Sequence, residues 1–441
     1  MASHVNLLRD MRYPTPHELA LAARALADEH PARVRLRRAG ASRAGAPLWL
    51  LSVDPGDGAR DVLVVAGAHA NEPVGGATAL SLARRIVRDP GLGAGAGWHF
   101  LLCADPDGAE LHRTPRPHSL LDYHRNFFRP PGPEQPEWAP SLLAPDRLPP
   151  ETLALTALID ELRPVLQVSL HGTDLGGSWV QLTRDIPGLA EPFGASAADL
   201  RIPVETGASD AAGWPSPGPG IYVMPEPGTG PGGAFHPEDT RLSTWYRVHR
   251  HHGTTAIVEV PMWASDLVDD PAPHPDPRHA LRVLAARLTE DAARVAGPRG
   301  AVGGGDPSSA ALLRAVDWTL ALIPRIAAEW TGPGAPVDAT AAAIGSIDAF
   351  GRRLSLRAAA MLLRVLRTQA HPAAPALDRL VTGWCEEFSA RFQARRVPVA
   401  TQVEHQCRTT LATYDRLTRA SCAERVQPPG ADAVSAQTGQ A

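Results

Sequence analysis

A chain of 441 residues with 44% hydrophobic side chains can bury a sizeable core and is long enough for two domains. All 43 of its Lys and Arg positions are arginine, yet the formal net charge is −4 and the arginines are scattered, which argues against a nucleic-acid-binding face. Cys103, Cys385, Cys407 and Cys422 show no metal-knuckle or CxxC spacing, the N-terminus has no apolar signal core, and no run of about 18 apolar residues appears, so a cytoplasmic protein with reduced cysteines and no membrane span is expected.

In chain order, Thr15, Pro16 and Glu18 open the first helix, with Thr15 as N-cap and Glu18 closing a capping box. Residues 33–53 fit a β-hairpin turning at 42–48. The apolar run 62–68 reads as a buried strand that ends at His69-Ala70-Asn71-Glu72, where a Gly-rich loop leads into a helix over 73–88. A strand at 98–103 runs into Asp105-Pro106-Asp107-Gly108. Residues 128–150 form a long Pro-rich loop with Trp138, and 214–237 a second loop rich in Gly and Pro; both are long enough to shape a pocket. Between them, 165–172 is another apolar run ending in His171-Gly172. Residues 255–260 are a further strand carrying Glu259, followed by a helix over 278–295.

Zinc in a catalytic site takes three protein ligands and leaves one position for water. His69 and Glu72 supply two donors, and His171, also at a strand end where α/β sheets place their ligands, is the candidate third. The stretch 296–307 reads as a flexible Gly/Pro linker. Beyond it, 308–330, 337–369, 375–395 and 399–424 carry apolar residues at helical spacing, as in Leu312, Leu313, Val316, Leu320 and Ile323. They are expected to form a separate helical domain over 308–426 with a structural or dimerisation role, and the tail from 427 onward to be disordered.

Several of these pieces, in this order over roughly residues 12–295, resemble the M14 zinc carboxypeptidases. They are His69-x-x-Glu72, Asp105-Pro106-Asp107-Gly108, His124-Arg125-Asn126-Phe127, Ser169-Leu170-His171-Gly172, Gly207-Ala208-Ser209-Asp210 and the Glu259 strand. The resemblance implies an α/β catalytic domain over 1–295, with a mixed sheet flanked by helices. It also implies Zn2+ held by His69, Glu72 and His171, with Glu259 as general base and then acid. A cation near the developing oxyanion would be Arg113 or Arg116, and Arg125 would grip the substrate's terminal carboxylate. His124 stands where the family has Asn. The tyrosine that caps the bound substrate would be Tyr222 or Tyr246.

Glu259, flanked by Val258, Val260 and Pro261, would have its pKa raised by desolvation toward a range useful for proton transfer. The short spacing from Glu72 to His171 is closer to the related deacylases that resemble aspartoacylase and succinylglutamate desuccinylase. The motif resemblance nonetheless makes release of a C-terminal residue from a peptide or peptide-like metabolite the expected activity. The alternative is deacylation of an N-acyl-amino acid. A catalytically inactive peptide-binding protein is a third reading, and an intact Glu259 argues against it.

Overall fold

The computed structural model describes residues 12–54, 60–114, 119–225, 240–303, 305–333, 335 and 338–426. The expected disordered tail and the expected anion-binding Arg116 lie outside the described residues.

The strands are β1 (Val34–Ala41), β2 (Pro47–Val53), β3 (Asp61–Ala66), β4 (Gly97–Leu101), β5 (Leu166–Gly176), β6 (Trp179–Leu182), β7 (Ile221–Val223), β8 (Thr254–Ala264) and β9 (Arg395–Arg396). The helices are α1 (Pro16–Glu29), α2 (Val74–Arg88), α3 (Pro106–His112), α4 (Leu120–Arg125), α5 (Ala139–Leu142), α6 (Pro150–Leu162), α7 (Ala190–Leu200), α8 (Thr244–Arg247), α9 (Pro277–Arg299), α10 (Pro307–Thr331), α11 (Ala341–Thr368), α12 (Ala374–Arg391) and α13 (Val399–Val426).

One mixed sheet runs in the order β1-β2-β4-β3-β5-β8-β6-β7, with β9 pairing the far end of β8. The β1–β2 hairpin is antiparallel, and the centre, β4-β3-β5-β8, is parallel. Parallel strands are covered on both faces and so read as unbroken apolar runs. β3 is Asp-Val-Leu-Val-Val-Ala, buried at every position. The expected hairpin, the helix after Glu72 and the Thr15–Glu18 capping box are all present: Glu18 N donates to Thr15 Oγ1 at 3.2 Å and Thr15 N to Glu18 Oε2 at 2.9 Å.

The C-terminal helices α9–α13 form the expected all-helical region, and they pack on the sheet. Leu356 and Leu363 of α11, Phe388 of α12 and Val403 of α13 belong to the same buried apolar cluster as Val168 of β5 and Val260 of β8. The Gly/Pro stretch expected to be a flexible linker is tied down: α9 runs to Arg299, whose guanidinium pairs with Asp317 of α10, and Asp306 caps α10 by accepting from Ser308 N and Ser309 N, each at 3.0 Å. α9 and α10 pack together on either side of this stretch. Among the described residues, no helix is long and apolar enough to cross a membrane.

α13 packs on α2, α7 and β8 and inserts Gln406 into the sheet. Gln406 Nε2 donates to His171 O at 2.6 Å and Val258 O at 3.2 Å, while its Oε1 accepts from Thr78 Oγ1 of α2 at 2.7 Å. β5 has by then run past the end of β3, whose last pairing is Ala66 with Leu170. Gln406 therefore ties one buried carbonyl of each central strand, β5 and β8, to α13. Gln406→Leu keeps the volume but strands those groups, at a cost of about 1–3 kcal/mol. Urea unfolding should show this loss, and unchanged stability would refute the clamp.

Candidate metal centre and active-site cavity

His69 follows β3 through Gly67, whose φ of +61° is accessible to glycine and whose missing side chain leaves room for Cys103: a Cβ there would lie 3.0 Å from its Sγ. The chain then turns, with Glu72 N donating to His69 O at 3.1 Å, and enters α2. This turn brings His69 Nδ1 to 3.0 Å from Glu72 Oε1. From β5, His171 Nδ1 lies 2.9 Å from Glu72 Oε2 and 3.0 Å from His69 Nδ1. Glu72 Oε2 also accepts from Gly172 N at 3.2 Å.

All three side chains are buried, and their donor atoms converge as a group able to hold a metal ion. The donor set suits zinc, whose bonds to imidazole nitrogen of about 2.0–2.1 Å give tetrahedral edges of about 3.3 Å. The outer edge of His171 is held as well: its Nε2 lies 3.0 Å from Glu137 Oε2 and 2.8 Å from Ser169 Oγ, and Ser169 donates to Glu137 Oε1 at 2.6 Å. A carboxylate behind a ligating imidazole fixes the ring's tautomer and orientation.

Burial tends to raise the Glu72 pKa, but the adjoining His69 and His171 outweigh it and hold the carboxyl well below its ordinary range. Burial pushes the His69 pKa down to about 4, with Arg129 acting in the same direction. Arg129 Nη1 donates to Glu72 Oε1 at 3.1 Å, and its Nη2 lies 2.9 Å from His69 Nε2. Glu259 is the register partner of His171 on the neighbouring parallel strand, with Oε1 4.0 Å from His171 Nδ1. Burial, aided by the charge of Glu72, pushes its pKa up to about 8.

These groups open into a cavity of about 240 Å3. Trp138, Trp179 and Trp245 line it beside Arg129, and Asp210 enters from the Gly207–Asp210 segment, which is pinned to α11 by Ser209 N donating to Ser346 Oγ at 3.0 Å. The opposite wall comes from α10 and α11, including Trp318, Phe350, Arg353 and Arg357.

The structure thus brings together His69, Glu72, His171 and Glu259, and places the other expected residues elsewhere. Arg113 is 70% exposed and pairs with Glu110 in its own helical turn. Arg125 points away from the cavity and donates to Asp378 and Thr382 of α12, at 3.0 and 3.3 Å. His124 is fully buried, its Nδ1 donating to Leu120 O at 2.7 Å and its Nε2 3.6 Å from Asp174. Tyr222 donates to Glu205 O at 3.0 Å and accepts from Ala208 N at 3.3 Å, so it braces the loop behind the cavity instead of reaching into it. Tyr246 packs beside His249, with ring centroids 4.9 Å apart, outside the cavity lining. Sequence reading missed Arg129 and Glu137. Both sit in the Pro-rich stretch read as pocket-shaping, and that stretch has no periodicity to single out one polar residue.

Residues 21–178 match the sequence model of the zinc carboxypeptidase family, peptidase M14. The matched segment contains His69, Glu72, Arg129, Glu137 and His171; Glu259 and the wall from α10 and α11 lie beyond it. No curated protein matches the chain. Among solved structures, a candidate metallopeptidase from Shewanella amazonensis is similar at 15% identity and a TM-score of 0.37, over 55% of this chain and 83% of that one. A metallo-carboxypeptidase from Burkholderia cenocepacia aligns at 15% identity and a TM-score of 0.34, over 55% of this chain and 59% of the other. Carboxypeptidase A from Helicoverpa armigera aligns at 16% identity and a TM-score of 0.37, covering 57% and 65%. The chain spans less than two thirds of the length of these last two.

Purified protein should hold about one zinc per chain, and His171→Ala or His69→Ala should release it, as elemental analysis would show. Glu137→Gln should keep the site but weaken zinc about 10- to 100-fold in competition with a chromophoric chelator. Full stoichiometry in both alanine variants would refute the ligand assignment.

Proposed function

We propose that this cavity is the active site of a zinc-dependent amide hydrolase of the carboxypeptidase type, which cleaves the bond joining an acyl or peptidyl group to an amino acid with a free carboxylate. The observation that carries this reading is the juxtaposition of His69, Glu72 and His171 with a carboxylate that is not part of that set, Glu259, in one buried cavity. Carboxypeptidase and N-acyl-amino-acid deacylase chemistry differ here only in the size of the acyl group.

When bound, zinc would polarise the scissile carbonyl and make the attacking water more acidic. Glu259 takes the proton from that water at its carboxylate and returns it to the leaving nitrogen. Its partial removal from water suits both duties, since desolvation raises a carboxyl's affinity for a proton. Arg129 is the described guanidinium that touches Glu72 and His69, which puts it in reach of negative charge building on the carbonyl oxygen. Trp138, Trp179 and Trp245 exclude water around these groups. The positions of Glu259 and Arg129 favour catalysis over simple peptide binding.

Glu259→Gln should retain zinc and lose roughly 10²-fold or more in turnover of an N-acyl dipeptide, followed as released amino acid. Near-normal turnover in a zinc-loaded Glu259→Gln protein would place the general base elsewhere.

A further inference from the structure

The wall formed by α10 and α11 lies outside the matched segment, yet it holds the cavity's densest positive charge. Arg353 and Arg357, one turn apart on α11, both line the cavity and are both fastened to Asp174 at the end of β5. Arg353 Nη1 donates to Asp174 Oδ1 at 3.1 Å and to Thr173 Oγ1, and Arg357 Nη2 donates to Asp174 Oδ2 at 3.1 Å. Arg357 also lies over the ring of Phe127, 4.9 Å from its centroid.

Asp174 is completely buried, and His124 approaches it as a third basic group, 3.6 Å from Oδ2. Burial opposes charge on His124, but Cys385 and Asp174 outweigh it and raise its pKa to about 9. One carboxylate thus faces two permanent cations and a basic imidazole. Glu205, the nearby cavity carboxyl, is engaged by Ser346 Oγ at 2.6 Å and Gly177 N at 2.9 Å, and burial pushes its pKa up. The Nε atoms of Arg353 and Arg357 are buried without a hydrogen-bond partner. Glu72, Asp210 and Glu259 line the same cavity, but these two guanidinium groups share the single carboxylate of Asp174, and buried charge is costly unless it is paired.

The same wall closes the site. Trp318 of α10 lies against Gly132, where a Cβ would stand 3.0 Å from its Cζ2 and 2.8 Å from Leu142 Cδ1. Arg314, one turn earlier, grips Glu134 with two bonds of 2.8 and 3.1 Å. The volume left, about 240 Å3, is below the roughly 300–1,000 Å3 of pockets for drug-sized ligands.

We propose that α10 and α11 form the substrate-recognition wall of this site, in which Arg353 and Arg357 bind the free carboxylate of a small acylated amino acid and the Trp318 roof keeps longer peptides out. This rests on the reading of the cavity as an amide-hydrolase site. Planar guanidinium groups bind carboxylates bidentately, which compact ammonium groups cannot do. Arg353→Lys and Arg357→Lys therefore keep a positive charge beside Asp174 while removing the fork.

Isothermal titration of the full-length protein with N-acetyl-leucine, N-acetyl-leucinamide and a pentapeptide ending in leucine tests the proposal without requiring turnover. The acid should bind about 10- to 100-fold more tightly than the amide and the pentapeptide, and each lysine variant should lose most of the preference for the acid. Equal affinity for acid and amide would overturn the anion site even if a lysine variant failed to fold. A preference unchanged in both lysine variants would overturn the assignment to these arginines. Tight pentapeptide binding would overturn the roof. A protein that hydrolyses acid and amide substrates alike keeps its function and loses this inference. One that shows the acid preference without zinc or hydrolysis does the reverse.

Discussion

His171 and Glu259 are opposite each other in the parallel register of β5 and β8, and the chemistry of the cavity depends on that pairing. Neighbouring strands lie about 4.7–4.9 Å apart, so register partners present their side chains to the same face at nearly that spacing. Here that geometry sets a candidate metal ligand and a carboxylate base 4.0 Å apart without a flexible linker between them. β3, on the other side of β5, delivers His69 and Glu72 at the same edge of the sheet, where the strands' carboxyl ends open. A one-residue slip would turn His171 to the opposite face. Gln406 guards against such a slip by bonding the main chain of β5 and of β8 at once.

The second constraint is the cost of burying so many charges. His171 lies between Glu72 and Glu137, and the two carboxylates together hold its pKa well above the usual value despite burial. Arg129 neutralises part of Glu72 from the cavity side. Around Asp174 the balance tips the other way, with more positive than negative charge. Unpaired buried charges are expensive, so each of these groups constrains the next, and the site's electrostatics are built into the packing of α11 and the Pro-rich loop on the sheet.

The parts of this arrangement written as local patterns were legible in the sequence. His69 follows the apolar run of β3, and Thr15 and Glu18 form a capping box within four residues, whereas His171 and Glu259, expected at strand ends, stand in the middle of β5 and β8, which run on past them to Gly176 and Ala264. The parallel sheet follows from the same runs. Arg129 and Glu137 were not legible, because they occupy an irregular segment where neither helical nor strand spacing marks a side chain that faces inward. Arg125 looked like a carboxylate clamp by its place in a short motif, but α12 supplies Asp378 to bind it, and nothing near residue 125 announces a partner so far along the chain. Arg353 and Arg357 lie in a stretch whose helical spacing marks a helix but not which of its arginines face a cavity, and only the packing of α11 against β5 brings them there. The Gly/Pro stretch at 296–307 marked a change of direction correctly but carried no information about whether the helices beyond it bury their apolar faces against each other or against the sheet.

The central claim is that His69, Glu72 and His171 form one hydrolytic zinc centre. X-ray absorption at the zinc edge of the purified, zinc-loaded protein tests it most directly. The account predicts about four nitrogen and oxygen ligands at roughly 2.0–2.1 Å, with outer-shell scattering from two imidazoles and no sulfur. Zinc bound through cysteine sulfur, or with no imidazole signature, would contradict it.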